Sequence, residues 1–171
     1  MLPDQPSGGV DLLVLRDPAN LVCRRAVWYW AVRALLCWLV IGALVVLVLV
    51  GTGSGWPGYL VLAATVLLAA LHVGVMPTWR YRVHRWETTS TAVYTRAGWF
   101  NQERRIAPLS RIQTVDTERG PLEQLFRLAN VTVTTASAAG PLRIHGLAVD
   151  TADRLAAELT AATAADAGDA T

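Results

Sequence analysis

Residues 26–50 read AVWYWAVRALLCWLVIGALVVLVLV, and this stretch decides the fold. A helix needs about 20 mostly apolar residues to cross the hydrocarbon core of a bilayer, and this stretch is long enough with a single charge, at Arg33. Residues 59–76 read YLVLAATVLLAALHVGVM, are again close to spanning length, and are followed by Pro77. A polar, glycine-rich loop at residues 51–58 separates the two. The sequence therefore predicts a hairpin of two transmembrane helices.

The composition agrees with a membrane protein. Hydrophobic residues make up 53% of the 171-residue chain, whereas soluble domains contain about 45–50%. All 15 basic residues are arginine, which is typical of a GC-rich bacterial coding sequence. The first 25 residues lack the apolar core of a cleavable signal peptide. The first apolar stretch is therefore expected to remain as an anchor.

Arginines flank the hairpin on both sides and are absent from the loop at residues 51–58. Under the positive-inside rule, both flanks face the cytoplasm. We therefore expect a multi-pass protein of the bacterial inner membrane with both termini cytoplasmic. The arginines expected to contact the membrane surface are Arg24, Arg25, Arg80, Arg82 and Arg85. Arg33 and His72, inside the spans, are expected to lie nearer the cytoplasmic boundary and to serve anchoring rather than transport.

After Pro77 the pattern changes to short alternating segments, so residues 79–163 are predicted to form one cytoplasmic α+β domain. Residues 1–25 form a cytoplasmic N-terminal segment, the hairpin covers residues 26–78, and residues 164–171 are expected to form a disordered tail. The segments predicted as strands are residues 79–87, 91–95, 102–108, 111–119, 131–135 and 141–144.

Two helices are predicted within this domain. Pro121 begins a short amphipathic helix, with Leu122 and Leu125 facing inward and Glu123 and Arg127 facing away. The last helix begins near Asp150 or Thr151. Its inward face is formed by Ala152, Leu155, Ala156 and Leu159.

Several motifs in the second half of the chain carry a family resemblance. They are Tyr81-Arg82-Val83, Arg96-x-Gly98-Trp99, Arg104-Arg105-Ile106-x-Pro108-Leu109-x-Arg111-Ile112-Gln113-x-Val115-Asp116 and Gly120-Pro121-Leu122-Glu123. With the helical hairpin before them, they resemble the YdbS-like bacterial pleckstrin-homology (PH) domain membrane proteins. Arg127 departs from the family pattern because a glycine is expected there, and Ser137 stands where glycine is frequent.

The resemblance implies a PH-like, partly open β-barrel with a C-terminal capping helix. It also implies no catalytic residues and no cofactor. The partner that it implies is a larger membrane protein with repeated PH-like domains, and a homo-oligomer is the other expectation.

The residues themselves give no sign of catalysis. The GTGSG run at residues 51–55 lies between two membrane spans, whereas a phosphate-binding loop joins a strand to a helix. His72, His84 and His145 are far apart in sequence and lack metal-ligand spacing, and neither cysteine has a basic partner that would activate it. The sequence thus predicts no enzyme, metal site, nucleic-acid partner or small-molecule substrate, and His84 and His145 are expected on strand surfaces.

A second basic group is formed by Arg104, Arg105 and Arg111. It could contact lipid or an acidic partner, or it could be a solvated strand face. The function predicted from the sequence is a non-catalytic interaction or scaffold module of an inner-membrane complex, which docks its partner through an exposed strand edge or groove. The alternative is a peripheral sensor of anionic lipid headgroups through its arginine-rich faces.

Overall fold

A computed structural model describes residues 17–98, 101–137 and 140–169, with side chains through residue 164. Two long helices dominate it: α1 spans Arg25–Thr52 and α2 spans Trp56–Val83. Both are long and apolar enough to cross a membrane. In the most apolar window, 6% of the residues of α1 and none of those of α2 are buried inside the protein. No protein layer covers these side chains, as a bilayer-embedded surface requires. The predicted membrane hairpin is confirmed.

Helix α2 continues past Pro77 to Val83, which corrects the strand predicted for residues 79–87. The first strand after the hairpin is only Arg85–Thr88. The alternation of apolar and basic residues after Trp79 is too short to interrupt a helix that is already formed. Pro77 removes one backbone donor, a loss that membrane helices tolerate. His84 N–H then donates to the carbonyl oxygen of Arg80 at 2.9 Å and closes the helix.

The domain contains two antiparallel sheets. The first has the order β1-β2-β3-β4 and the second β5-β6-β7. Their bounds are β1 Asn20–Leu21, β2 Arg85–Thr88, β3 Ala92–Ala97, β4 Glu103–Pro108, β5 Ile112–Glu118, β6 Leu128–Thr135 and β7 Leu142–Ala148. A 3₁₀ turn at Leu109–Arg111 leads from one sheet to the other. The two predicted hairpins are confirmed, β3 with β4 and β6 with β7, although residues 99–100 and 138–139 of their loops lie outside the described residues.

Helix α3 spans only Pro121–Leu125, which corrects the longer amphipathic helix predicted there. Leu125 is 75% exposed, and Glu123 turns inward to hydrogen-bond Asn130 and Tyr29. The chain instead enters β6 at Leu128. Long-range pairing of this segment within its sheet outweighs the local helical pattern.

Helix α4, Val149–Asp169, packs on the second sheet and closes one end of the domain. Ala152, Leu155 and Leu159 are buried at 0%, 1% and 2% exposure, so the predicted inward face is confirmed. The backbone is helical to Asp169, where a disordered tail was predicted from residue 164. Alanine, the best helix former, dominates this segment and extends the helix; residues 170–171 lie outside the described residues. The architecture is that of a PH-like domain after a membrane hairpin.

The domain and the hairpin share one hydrophobic core. Val22, Ala26, Tyr29 and Trp30 precede or begin α1, yet they are buried in the same cluster as the strand and α4 residues. Ala26 is fully buried and Trp30 is 2% exposed. The first two turns of α1 therefore belong to the domain as much as to the membrane span, and a boundary at residue 79 leaves out part of the domain core.

Candidate functional site

Three of the five arginines expected at the membrane surface line one groove. Arg24 and Arg25 reach it from the start of α1, and Arg82 reaches it from the end of α2. Its volume is about 470 Å³, and its other walls are Val27, Trp28, Thr78 and Tyr81. The sequence could place these arginines near the bilayer, but the packing of α1 against α2 brings them together.

The other two arginines of that set point elsewhere. The guanidinium carbon of Arg80 lies 4.5 Å from the centre of the Trp30 ring, within the range of a cation–π contact. Arg85 donates to the carbonyl oxygen of Pro18 at 3.4 Å, beside the short strand β1. Arg80 thus joins α2 to α1 and Arg85 joins β2 to the segment before β1, so neither side chain lines the groove, and contact of these two with the membrane surface stays a prediction.

The second basic group does not form one site. Arg104 pairs with Asp17 at 3.1 Å, and Asp17 also accepts from Arg96. Arg105 pairs with Glu103 at 2.6 Å and donates to the carbonyl oxygen of Pro141 at 3.0 Å. Arg111 is exposed in the 3₁₀ turn. Neighbours along a strand point to opposite faces, so Arg104 and Arg105 do not share one site. Their bonds are to residues of this chain and stabilise its own loops and strands.

A hydrogen-bonded chain joins the domain to α1 through Gly146. The Cys23 N–H donates to the Gly146 carbonyl oxygen at 2.9 Å, and the Gly146 N–H donates to Asn130 Oδ1 at 3.1 Å. Asn130 Nδ2 donates to Glu123 Oε1 at 2.7 Å, and the Tyr29 hydroxyl donates to the same oxygen at 3.2 Å. We call these five residues the junction network. Through Tyr29 it connects α1, and through Cys23 the segment before α1, to β6, β7 and α3.

Gly146 also brings β7 unusually close to α1. Its φ is 76°, a left-handed conformation in which a side chain is strained. A Cβ added at this position would lie 2.8 Å from the Cβ of Ala26, well inside van der Waals contact. Glycine is therefore required twice, for the backbone conformation and for the contact. In the sequence, Gly146 indicates only the exit toward the last helix.

The two histidines near the junction have lowered pKa values. Burial lowers the pKa of His84 to about 4, and the nearby charge of Arg80 adds to the effect. Burial also lowers the pKa of His145, again helped by Arg80 and by Arg143. His84 is only 4% exposed, and it lies 5.3 Å from the Trp30 ring centre to centre. The expectation of surface imidazoles is thus wrong for His84, and His145 is partly buried.

Glu123 is held as a carboxylate. Burial alone would raise its pKa, but hydrogen bonds from the Gly120 N–H, Asn130 and Tyr29 lower the pKa below its ordinary value. The helical pattern of the sequence predicted Glu123 on the outward face of a helix. The available signal was the Gly120-Pro121-x-Glu123 spacing, in which a glutamate at the third helical position reaches back to the backbone before the helix.

Inside the membrane span, one hydrogen bond joins the two helices. Trp38 Nε1 donates to His72 Nδ1 at 2.9 Å, so the His72 ring faces the other helix. Arg33 is exposed on α1. Within the described ranges, no three His, Cys, Asp or Glu residues are grouped closely enough to hold a metal ion.

Comparisons with known proteins identify relatives of the whole arrangement. Residues 33–163 match the family model described as bacterial PH domain. The transmembrane protein YdbS of Bacillus subtilis (strain 168) is 31% identical over 146 residues, which cover 81% of this chain and 89% of that relative. No solved structure matches the chain significantly.

Proposed function

This chain belongs to the bacterial PH domain family, and from that premise we propose that it is a non-catalytic interaction module of a bacterial inner-membrane complex. In this proposal both termini lie in the cytoplasm, because the arginine-rich end of the hairpin carries the domain. The hairpin supplies the anchor, and the PH-like domain supplies the docking surface.

The shared core makes the domain a fixed platform at the membrane. Trp30 and Ala26 of α1 are buried inside it, and the junction network links it to Tyr29 of α1 and to Cys23 just before α1. A domain on a flexible linker would sample many orientations, whereas this one holds its strands at one height and angle. Fixed orientation lowers the entropy lost on binding a partner that is confined to the same membrane.

The observation that carries the proposal is the edge strand β5, whose side chains are mostly exposed although α4 packs against part of the strand. Among the described strands, three of the four sheet edges are short or covered. Strand β1 has only two residues. Arg105 of β4 hydrogen-bonds the turn before β7. On β7, the Gly146 carbonyl oxygen accepts from the Cys23 N–H. Strand β5 has seven residues, of which five are exposed, and it ends its sheet.

An exposed strand edge can pair with an extended segment of another chain. The partner that we propose is a larger membrane protein with repeated PH-like domains. A partner of this kind is embedded in the same bilayer and carries strands of the same type. A second copy of this chain would meet the same requirements and is the other candidate.

Site-specific photo-crosslinking in native membranes tests this proposal. A photoreactive amino acid is placed at Thr117 on β5, and in a matched control at Thr160 on the exposed side of α4. We expect adducts from position 117 that mass spectrometry identifies as a PH-domain membrane protein. Adducts to this chain itself would show the second copy as the partner.

The control separates docking at β5 from chance encounters in the membrane. Equal adducts from positions 117 and 160 would contradict docking through the strand edge. The absence of any protein adduct from β5, with the variant present in the membrane at normal abundance, would remove the basis of the proposal.

One observation favours the alternative function, a sensor of anionic lipid headgroups. Arg24, Arg25 and Arg82 converge on a groove at the end of the hairpin that carries the domain. Charge reversal at Arg104 and Arg105 is expected to leave lipid binding unchanged, because both side chains already have acidic partners.

A further inference from the structure

We propose that the groove between the start of α1 and the end of α2 binds the phosphodiester headgroup of an anionic phospholipid. The groove is defined above by Arg24, Arg25, Val27, Trp28, Thr78, Tyr81 and Arg82. This site lies on the hairpin and is separate from the β5 edge. It would give the protein a specific lipid ligand in addition to a protein partner.

The charge of the groove fits a phosphodiester. Its lining holds three guanidinium groups and no carboxylate. Arg24 and Arg82 form no ion pair with any other residue in the described ranges, so their charges are available. Arginine presents several N–H donors in a plane and binds phosphate oxygens in pairs.

A neighbouring groove shows the contrast. It is lined by Arg25, Arg119 and Arg127, but Asp150 lies in the same wall. Arg119 is also paired with Asp153 at 3.3 Å. The positive charge of this neighbouring groove is therefore largely compensated by Asp150 and Asp153. Uncompensated charge is a property of the groove at the helix ends.

The position of the groove identifies its ligand as a lipid. Trp28 forms one wall and is 69% exposed, and Trp79 on α2 is 50% exposed. Exposed tryptophans at the ends of transmembrane helices lie at the level of the lipid headgroups. Tyr81 adds an aromatic ring to the same groove. A phosphate held by Arg24 and Arg82 would thus be at the height where phospholipids carry theirs.

Lipid retention by the intact protein tests the site. The detergent-solubilised full chain is titrated with phosphatidylglycerol or phosphatidylcholine, and bound lipids are counted by native mass spectrometry. One juxtamembrane arginine contributes about fivefold to the affinity for anionic lipid. The double variant Arg24→Ala/Arg82→Ala should therefore lose about 30-fold in phosphatidylglycerol affinity, with phosphatidylcholine unchanged.

The matched control is Arg143→Ala/Arg154→Ala, which removes two exposed arginines of the domain and the same net charge. An equal loss in this control would show general electrostatic attraction and overturn the site. Displacement of phosphatidylglycerol by glycerol phosphate at similar concentration would identify a soluble anion as the ligand and also overturn the lipid assignment. Thermal unfolding of both variants shows whether they fold.

The lipid site and the β5 docking surface can fail separately. Lipid retention involves no partner protein, and the adducts from position 117 do not depend on lipid identity. A variant that loses phosphatidylglycerol while retaining its adducts would support the lipid site alone.

Discussion

Replacement of Gly146 by alanine should destabilise the contact between β7 and α1, and its cost can be worked out from one distance and one angle. Gly146 has φ of 76°, and a non-glycine residue in that region costs about 1–2 kcal/mol. The new Cβ would lie 2.8 Å from Ala26 Cβ, and overpacking of this kind costs about 1–3 kcal/mol. We expect Gly146→Ala to lower the free energy of unfolding by about 2–5 kcal/mol.

A double-mutant cycle distinguishes the two contributions. Ala26→Gly removes the atom that the new Cβ would meet, at a cost of about 1 kcal/mol for glycine within a helix. In that background Gly146→Ala should cost only the conformational part, about 1–2 kcal/mol. The coupling between the two sites should thus be about 1–3 kcal/mol in favour of the double variant.

The measurement is denaturant-induced unfolding of the full chain in detergent micelles, followed by tryptophan fluorescence. Trp30 is a suitable reporter because its ring lies 3.5 Å from the position of the added Cβ. Strictly additive costs of the two single changes would refute the close contact between β7 and α1. A Gly146→Ala variant as stable as the parent protein would refute both parts of the reasoning.

Three further predictions concern the same junction and the turn after α3. Arg127 has φ of 52°, so Arg127→Gly should raise the free energy of unfolding by about 0.5–1 kcal/mol; a loss of stability would contradict the strain. Asn130→Ala removes the bonds to Glu123 and to the Gly146 N–H and should cost about 1–3 kcal/mol, which the same unfolding assay measures; an unchanged midpoint would argue against the junction network. His84 has a pKa of about 4 in the folded protein, so the unfolded chain binds its proton first as the pH falls. Stability should be complete above about pH 6.5 and should decline toward pH 4, and His84→Gln should flatten that decline in unfolding curves measured across this range.

Much of the fold could be predicted from local pattern. Hydrophobic length predicted both membrane helices, and alternation with turn residues predicted the β3–β4 and β6–β7 hairpins. The inward face of α4 followed from the spacing of Ala152, Leu155 and Leu159. Each of these depends on residues that are close together in the chain. The family pattern also predicted a glycine at position 127, and the left-handed φ of Arg127 gives the physical reason.

The errors have a common cause. The segment after Pro77 and the segment around Glu123 each carry a short local pattern that distant contacts outweigh. Trp30 attracts Arg80 by a cation–π contact, and Tyr29 and Asn130 draw Glu123 inward. Local periodicity over five or six residues is weak evidence when the alternative buries a polar group with its partners.

The sequence by itself determined that this is a membrane hairpin followed by a β-rich domain, because hydrophobic length and arginine placement are properties of the chain alone. Only the tertiary structure decided where one part ends and the other begins. Tyr29 and Glu123 are 94 residues apart and share a hydrogen bond, and Gly146 reaches Cys23 and Ala26 from the far end of the domain. The same packing selected Arg24, Arg25 and Arg82 from the flanking arginines, because which charges meet depends on how two helices lie side by side.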